Sequence, residues 1–138
     1  MSHRRELSLE NRPAAIPDVA AEIRRFCEPL GMSHHEIGQV NLALDEMLTN
    51  IMSYAWPEGG RHTVRVVLTV EGKRLIAEIT DDGMPFDPRT APKPDLDAPL
   101  EERRVGGLGV YFATTLMDHV DYQRVGGENR LTLIKVIS

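Results

Sequence analysis

In the stretch LALDEMLTN, Glu46 and Asn50 stand four residues apart. On an α-helix that spacing stacks the two side chains about 40° apart on one face. A carboxylate and an amide let into a covered face make a polar pair a site can use; on a solvated outer face the same pair does nothing. A second group closes a β-branched run in TDDGMPFDP. An aspartate at a strand end, Asp81, can face a pocket and accept a hydrogen bond from a ligand amine, while Gly83 lets the ligand approach the backbone. Asp-Asp-Gly-Met-Pro is equally good turn chemistry. The third group is RVGGLGVYF, which sets Gly106, Gly107 and Gly109 at the mouth of a helix. Each glycine inside a helix costs roughly 0.8 to 1 kcal/mol relative to alanine, so the cluster needs a use. Free backbone N–H groups and the positive dipole end at a helix start favour anions such as phosphate. A flexible hinge is the alternative. The cluster has neither the G-x-x-x-x-G-K-[ST] nor the G-x-G-x-x-G spacing.

These groups must be carried by elements, and the patterning predicts which. RELSLENRP begins with a short alternating strand that Pro13 breaks. Val19, Ala20, Ile23, Phe26 and Cys27 recur at helical spacing over residues 17–28, a first helix ending near Gly31. Ser33 and Glu36 form a capping-box pattern, and Ile37, Val40, Leu44, Leu48 and Ile51 make one stripe of a long second helix that Pro57 stops. HTVRVVLTVEG and RLIAEITDD read as a hairpin about Glu71-Gly72. Residues 84–105 hold five prolines and few β-branched residues, an irregular loop longer than a compact domain keeps without a purpose. A helix through Met117 follows, then two strands, HVDYQRV and RLTLIKVI, about Gly126-Gly127.

The bulk properties narrow the class. With 138 residues, 41% hydrophobic and 27% charged, the chain fits a single domain with one core. A net charge of -5 argues against direct nucleic-acid binding. Cys27, the single cysteine, can close no internal disulfide, which points to a reducing cytoplasm. No run approaches the roughly 18 to 20 apolar residues of a membrane span, and MSHRRELSLENRP lacks the apolar core of a signal peptide. His34 and His35 fall in the first turn of the second helix without metal-ligand partners at suitable spacing and read as surface residues.

Taken in order, helix Glu-x-x-x-Asn, strand-terminal Asp-x-Gly, long loop and glycine-opened helix resemble the ATP-binding fold shared by gyrases, Hsp90 chaperones, histidine kinases and MutL-type proteins. Within it, LALDEMLTNIMSYAW, DDGMPFDP and GGLGVYFATTLMD, with the closing NRLTLIK, look like the bacterial anti-sigma-factor serine/threonine kinases. The resemblance covers nearly the whole chain. It implies an α+β two-layer sandwich, a mixed and mostly antiparallel sheet with helices on one face, in one domain over 1–138.

The resemblance also implies roles. Asn50 matches the asparagine used on Mg²⁺, and its neutral carbonyl oxygen suits a hard cation that leans on substrate phosphates. Glu46 matches the catalytic glutamate, able to take or orient the proton of an attacking hydroxyl. Asp81 matches the aspartate that receives the adenine amine, with Gly83 as its partner. Gly106, Gly107, Leu108 and Gly109 match the phosphate-binding turn, and residues 84–105 the ATP lid. Tyr54 stands where family members often carry histidine, and Trp56 where an aromatic is common. The implied activity is ATP-dependent phosphorylation of an antagonist protein by an anti-sigma factor in a partner-switching system, with a sigma factor or similar regulator and a homodimer among its partners. The alternative is a nucleotide-dependent regulatory binding module. Lack of a phosphoacceptor-histidine helix disfavours a two-component histidine kinase.

Overall fold

The computed structural model describes residues 2–90 and 107–138. Strand β1 (Ser2–Glu10) leads into helix α1 (Ile16–Cys27), helix α2 (His34–Tyr54), strands β2 (Thr63–Glu71) and β3 (Arg74–Asp81), helix α3 (Gly107–Leu116), and strands β4 (His119–Val125) and β5 (Glu128–Val136). The five strands form one sheet in the order β1-β2-β3-β5-β4. Every pairing is antiparallel, so among the described residues the sheet is not the mixed one expected. The physical reason lies in the connections. β2–β3 and β4–β5 close as tight hairpins, whose turns need the left-handed backbone that Gly72 (φ 60°) and the pair Gly126 and Gly127 (φ 59° and 79°) supply without a Cβ penalty. The strand after α3 then returns at the sheet edge, beyond β5.

Period-two alternation turns one face of the sheet inward. Val64, Val66, Leu68 and Val70 of β2, Leu75, Ala77 and Ile79 of β3, and Leu131 and Leu133 of β5 are buried under the helical layer. The register aligns Val66 with Ile79 and Ile79 with Leu131, which makes a continuous apolar row across the central strands. The helices close over it with Ile23, Phe26, Ile37, Val40, Leu44, Met47, Leu48 and Ala113. The expected α2 stripe is this core face; Ile51, at its end, is only partly buried. The opposite face of the sheet carries Arg65, Glu78 and Arg130 in exposed positions.

α2 is the longest helix, with 21 residues, so it runs about 30 Å. Its start is pinned twice. Ser33 Oγ accepts from the Glu36 N–H at 3.1 Å, and Glu36 Oε1 accepts in return from the Ser33 N–H at 3.0 Å, a complete capping box. The other carboxylate oxygen, Oε2, accepts from the N–H and hydroxyl of Ser138 at 2.8 and 2.9 Å, which ties the last residue to the helix. At the far end the chain leaves the helix through Ala55 toward Pro57, where no helical N–H is available.

Hydrogen bonds from Ser138, then from Ser33, hold the Glu36 carboxyl at about 2, below its ordinary 4.5. A depressed folded value means that its stabilisation is complete above the ordinary value and fades as pH falls toward the folded one. Glu36→Ala should therefore lower unfolding stability by roughly 1 to 3 kcal/mol near neutrality. In denaturant titrations the gap from wild type should narrow between pH 4.5 and 2; a gap that stays constant there would show that the carboxylate's ionisation is not what Ser33 and Ser138 read.

Candidate nucleotide site

Glu46 and Asn50 lie half-buried on a flank of α2, neither in the core stripe nor on a solvated outer face. α3 packs beside that flank through Gly109. A Cβ built on Gly109 would stand 1.9 Å from Glu46 Oε2 and 2.6 Å from its carboxyl carbon. The glycine therefore makes room for the carboxylate at the start of α3, where the helix dipole is positive and the first N–H groups have no intrahelical acceptor. Gly107 and Leu108 open α3; Gly106, and the lid expected over residues 84–105 from position 91 on, fall outside the described residues.

Asp81 ends β3 as a buried carboxylate, 4% exposed. Its Oδ1 accepts from the Gly83 N–H at 2.8 Å and from Asn129 Nδ2 at 3.0 Å. Among the described residues nothing donates to Oδ2, which leaves one oxygen for a ligand donor. Burial pushes the carboxyl's pKa up, and the bonds from Asn129 and Gly83 oppose that push. Gly83 is itself hemmed in, since an added Cβ would meet Ala55 Cβ at 2.4 Å and Ala55 O at 2.8 Å. Met84 N–H donates to the same Ala55 carbonyl at 2.8 Å, so the end of α2 and the turn after β3 are joined.

Asn129 escaped the sequence reading. It faces Asp81 across the β3–β5 ladder, and its Nδ2 also donates to Met84 O at 2.9 Å, with a longer contact to Gly83 O at 3.4 Å. Its own Oδ1 accepts from the Tyr122 hydroxyl, which fixes the amide's orientation. Arg124, beside it on β4, donates to Gly83 O at 2.6 Å. The signal available was an asparagine in second position of the last strand, just after a glycine turn, a residue that strands generally disfavour.

The neighbouring residues have supporting positions. Trp56 stacks on His62, rings 4.5 Å apart and 3° from parallel, and donates its indole N–H to Asp82 Oδ1 at 3.0 Å. Asp82 is thereby turned outward while Asp81 points in. Arg89 grips Asp87 and reaches Asp121 of β4 at 3.3 Å, an exposed link worth little in stability. Tyr54 is exposed, as are His34 and His35. No cluster of three metal-ligating side chains occurs among the described residues.

The Histidine kinase-like ATPase domain family matches residues 9–135. The chain belongs to that family. Within it the chain falls in the branch of RsbW serine-protein kinases, being 30% identical over 119 residues to RsbW of Bacillus thuringiensis, with 83% of this chain and 74% of that protein covered. It is 27% identical to RsbW of Halalkalibacterium halodurans, over 88% of this chain and 76% of the relative. It is also 33% identical to the serine/threonine-protein kinase BtrW of Bordetella bronchiseptica, over 68% of this chain and 66% of BtrW. The alignments thus span about two thirds to three quarters of these relatives' lengths. In fold it resembles the RsbW-containing crystal structure of the RsbU and RsbW domains of a Mycobacterium tuberculosis protein, with a TM-score of 0.65 at 17% identity, covering 98% of this chain and 32% of that one. The SiaB-SiaC complex of Pseudomonas aeruginosa aligns with a TM-score of 0.58 at 16% identity, over 95% of this chain and 89% of that one.

The two glycines should respond differently to a methyl group. Gly109→Ala meets only the movable end of Glu46, so its stability cost should stay within about 1 kcal/mol while the carboxylate is displaced. Gly83→Ala meets the backbone of α2 and should cost roughly 1 to 3 kcal/mol. Paired thermal or denaturant melts check this; equal losses would mean that Glu46 cannot yield at Gly109.

Proposed function

We propose that this chain works as a single ATP-binding domain with serine/threonine-protein kinase activity, acting in a partner-switching system as an anti-sigma factor that phosphorylates an antagonist protein. Family membership makes it an enzyme of the protein-kinase class. The observation that carries the finer reading is the meeting of Glu46 with Gly109 at the start of α3, on the same helix that ends against the Asp81–Gly83 turn. The names of the relatives support the kinase activity, and the SiaB-SiaC complex supports a protein partner. A sigma factor or similar regulator as second partner, a homodimer and a cytoplasmic location belong to the same proposal. No helix among the described residues is long and apolar enough to cross a membrane.

In this reading Oδ2 of Asp81, to which none of the described residues donates, accepts from the adenine amine, and the glycine-opened start of α3 receives the phosphates through Gly106, Gly107, Leu108 and Gly109. The missing side chain at Gly109 lets the Glu46 carboxylate sit against the start of α3, which would put the proposed base beside the phosphates. The neutral carbonyl oxygen of Asn50 suits Mg²⁺, which binds few protein ligands and leans on substrate phosphates; when bound it would neutralise charge on them. Glu46 takes the proton of the serine or threonine hydroxyl as that oxygen bonds to the γ-phosphorus. The bond from that phosphorus to the bridging oxygen breaks, and ADP leaves with its electron pair.

Incubation with Mg-ATP and candidate antagonist proteins, followed by mass spectrometry for phosphoserine and phosphothreonine, tests the activity. Glu46→Gln should leave Mg-ATP binding nearly intact and lower phosphotransfer by roughly 10² to 10⁴, the usual range for a general base. Asn50→Ala should weaken Mg-ATP binding, read by calorimetry with and without Mg²⁺. Full activity in Glu46→Gln would leave only a nucleotide-dependent binding module.

Base preference tests Asp81 separately. Guanine presents a carbonyl oxygen where adenine has its amine, and two facing acceptors repel, so ATP should compete better than GTP. Asp81→Asn should narrow that gap, because an amide can also donate. A wild type indifferent to the base would make Asp81 an ordinary turn residue.

A further inference from the structure

On the side of α2 turned away from Glu46 and Asn50, a groove of about 530 Å³ opens to solvent between α1 and α2. Its walls are apolar, with Ile16, Val19 and Ile23 from α1 and Leu44 and Leu48 from α2. Leu42, also lining it, is 50% exposed. Two polar features are let into this surface. Asn41 Oδ1 is buried and has no hydrogen-bond partner among the described residues. The side chain as a whole is partly exposed at the groove, and a half-turn of its amide exchanges the inward oxygen for the NH₂ group, so a bound segment can pair with it. Asp45, one turn further along, is exposed, and no lysine, arginine or histidine lines the groove. Asn41 and Asp45 lie about 140° and about 100° around the helix from Glu46, so the groove is centred away from the nucleotide site, and Leu42, one turn before Glu46, forms its nearer edge.

We propose that this groove is a docking site for a basic amphipathic helix of a partner protein. Its shape favours a helix over a compact ligand: it follows α2 from residue 41 to residue 49, about 12 Å, the length of two helical turns. The recognition is the helix-in-groove mode, with apolar anchors at i, i+4 and i+7. Charge complementarity selects a basic partner, since Asp45 meets no cation in the groove and the chain as a whole carries a net charge of -5. The partly exposed Asn41 amide selects a polar side chain between the anchors. None of this rests on nucleotide binding or kinase activity.

The probe is a synthetic helical peptide with leucines at i, i+4 and i+7, flanking lysines and one glutamine between the leucines, titrated into the isotope-labelled full chain. Amide shifts should concentrate in residues 13–23 and 41–49. Asp45→Lys should weaken binding about fivefold or more, whereas Asp18→Lys, an exposed α1 charge outside the groove, should leave it nearly unchanged. Replacing the peptide's glutamine by methionine should cost wild type about fivefold and Asn41→Leu nothing. Leu42→Glu should abolish binding without unfolding a site already half exposed. The proposal is overturned if an acidic version of the peptide binds equally well, if the two lysine substitutions act alike, or if shifts fall elsewhere. It is also overturned if light scattering shows a second copy of the chain filling the groove, an association that Leu42→Glu removes.

Discussion

The space beside Gly109, which the Glu46 carboxylate occupies, governs the arrangement of this molecule's polar site. The Glu46 carboxylate can lie against the start of α3 only because the position facing it has no side chain; a single methyl there would overlap the carboxylate and displace it. The same contact brings the first backbone N–H groups of α3 next to an acidic side chain one helical turn from Asn50. A helix start and a carboxylate thus meet at one place, with an amide one turn along from the carboxylate, and the elements are held elsewhere by apolar packing: α2 by Ile37, Val40, Leu44 and Leu48, and α3 by Val110 and Ala113.

The second constraint is a buried carboxylate, held through a single oxygen by its donors among the described residues. Asp81 could not keep its charge at 4% exposure without donors, and the fold supplies two of them to a single oxygen. Asn129 is suited to this because an amide donates with one end while Tyr122 holds the other. Arg124 and Met84 extend the support to the carbonyl of Gly83 and to the end of α2. The site is therefore shared between the sheet and the longest helix, and the short turn after β3 is the joint between them.

α2 itself serves three surroundings. One face fills the core, one flank carries Glu46 and Asn50, and the side toward α1 lines the groove with Asn41, Leu42 and Asp45. A helix used on three sides has a diluted amphipathic pattern. That is why its polar residues could be read from sequence as either buried or solvated.

Local chemistry was legible in the sequence where its causes are local. The capping box at Ser33 and Glu36, the halt before Pro57, the hairpins about Gly72 and Gly126-Gly127 and the two-residue alternation of the strands all act within a few residues, and each is present as read. The order of the three polar motifs pointed to the family that the comparisons establish. What only the tertiary structure decided involves segments far apart in the chain. That Gly109 is the glycine facing Glu46 depends on how two helices cross, and helical periodicity does not encode a crossing. That Asn129 bonds Asp81 depends on the β3–β5 register, which joins residues 48 apart. The uniformly antiparallel sheet follows from where the strand after α3 enters, a choice made by burial across the whole core. Local sequence specifies which groups are available; only the packed chain determines which of them meet.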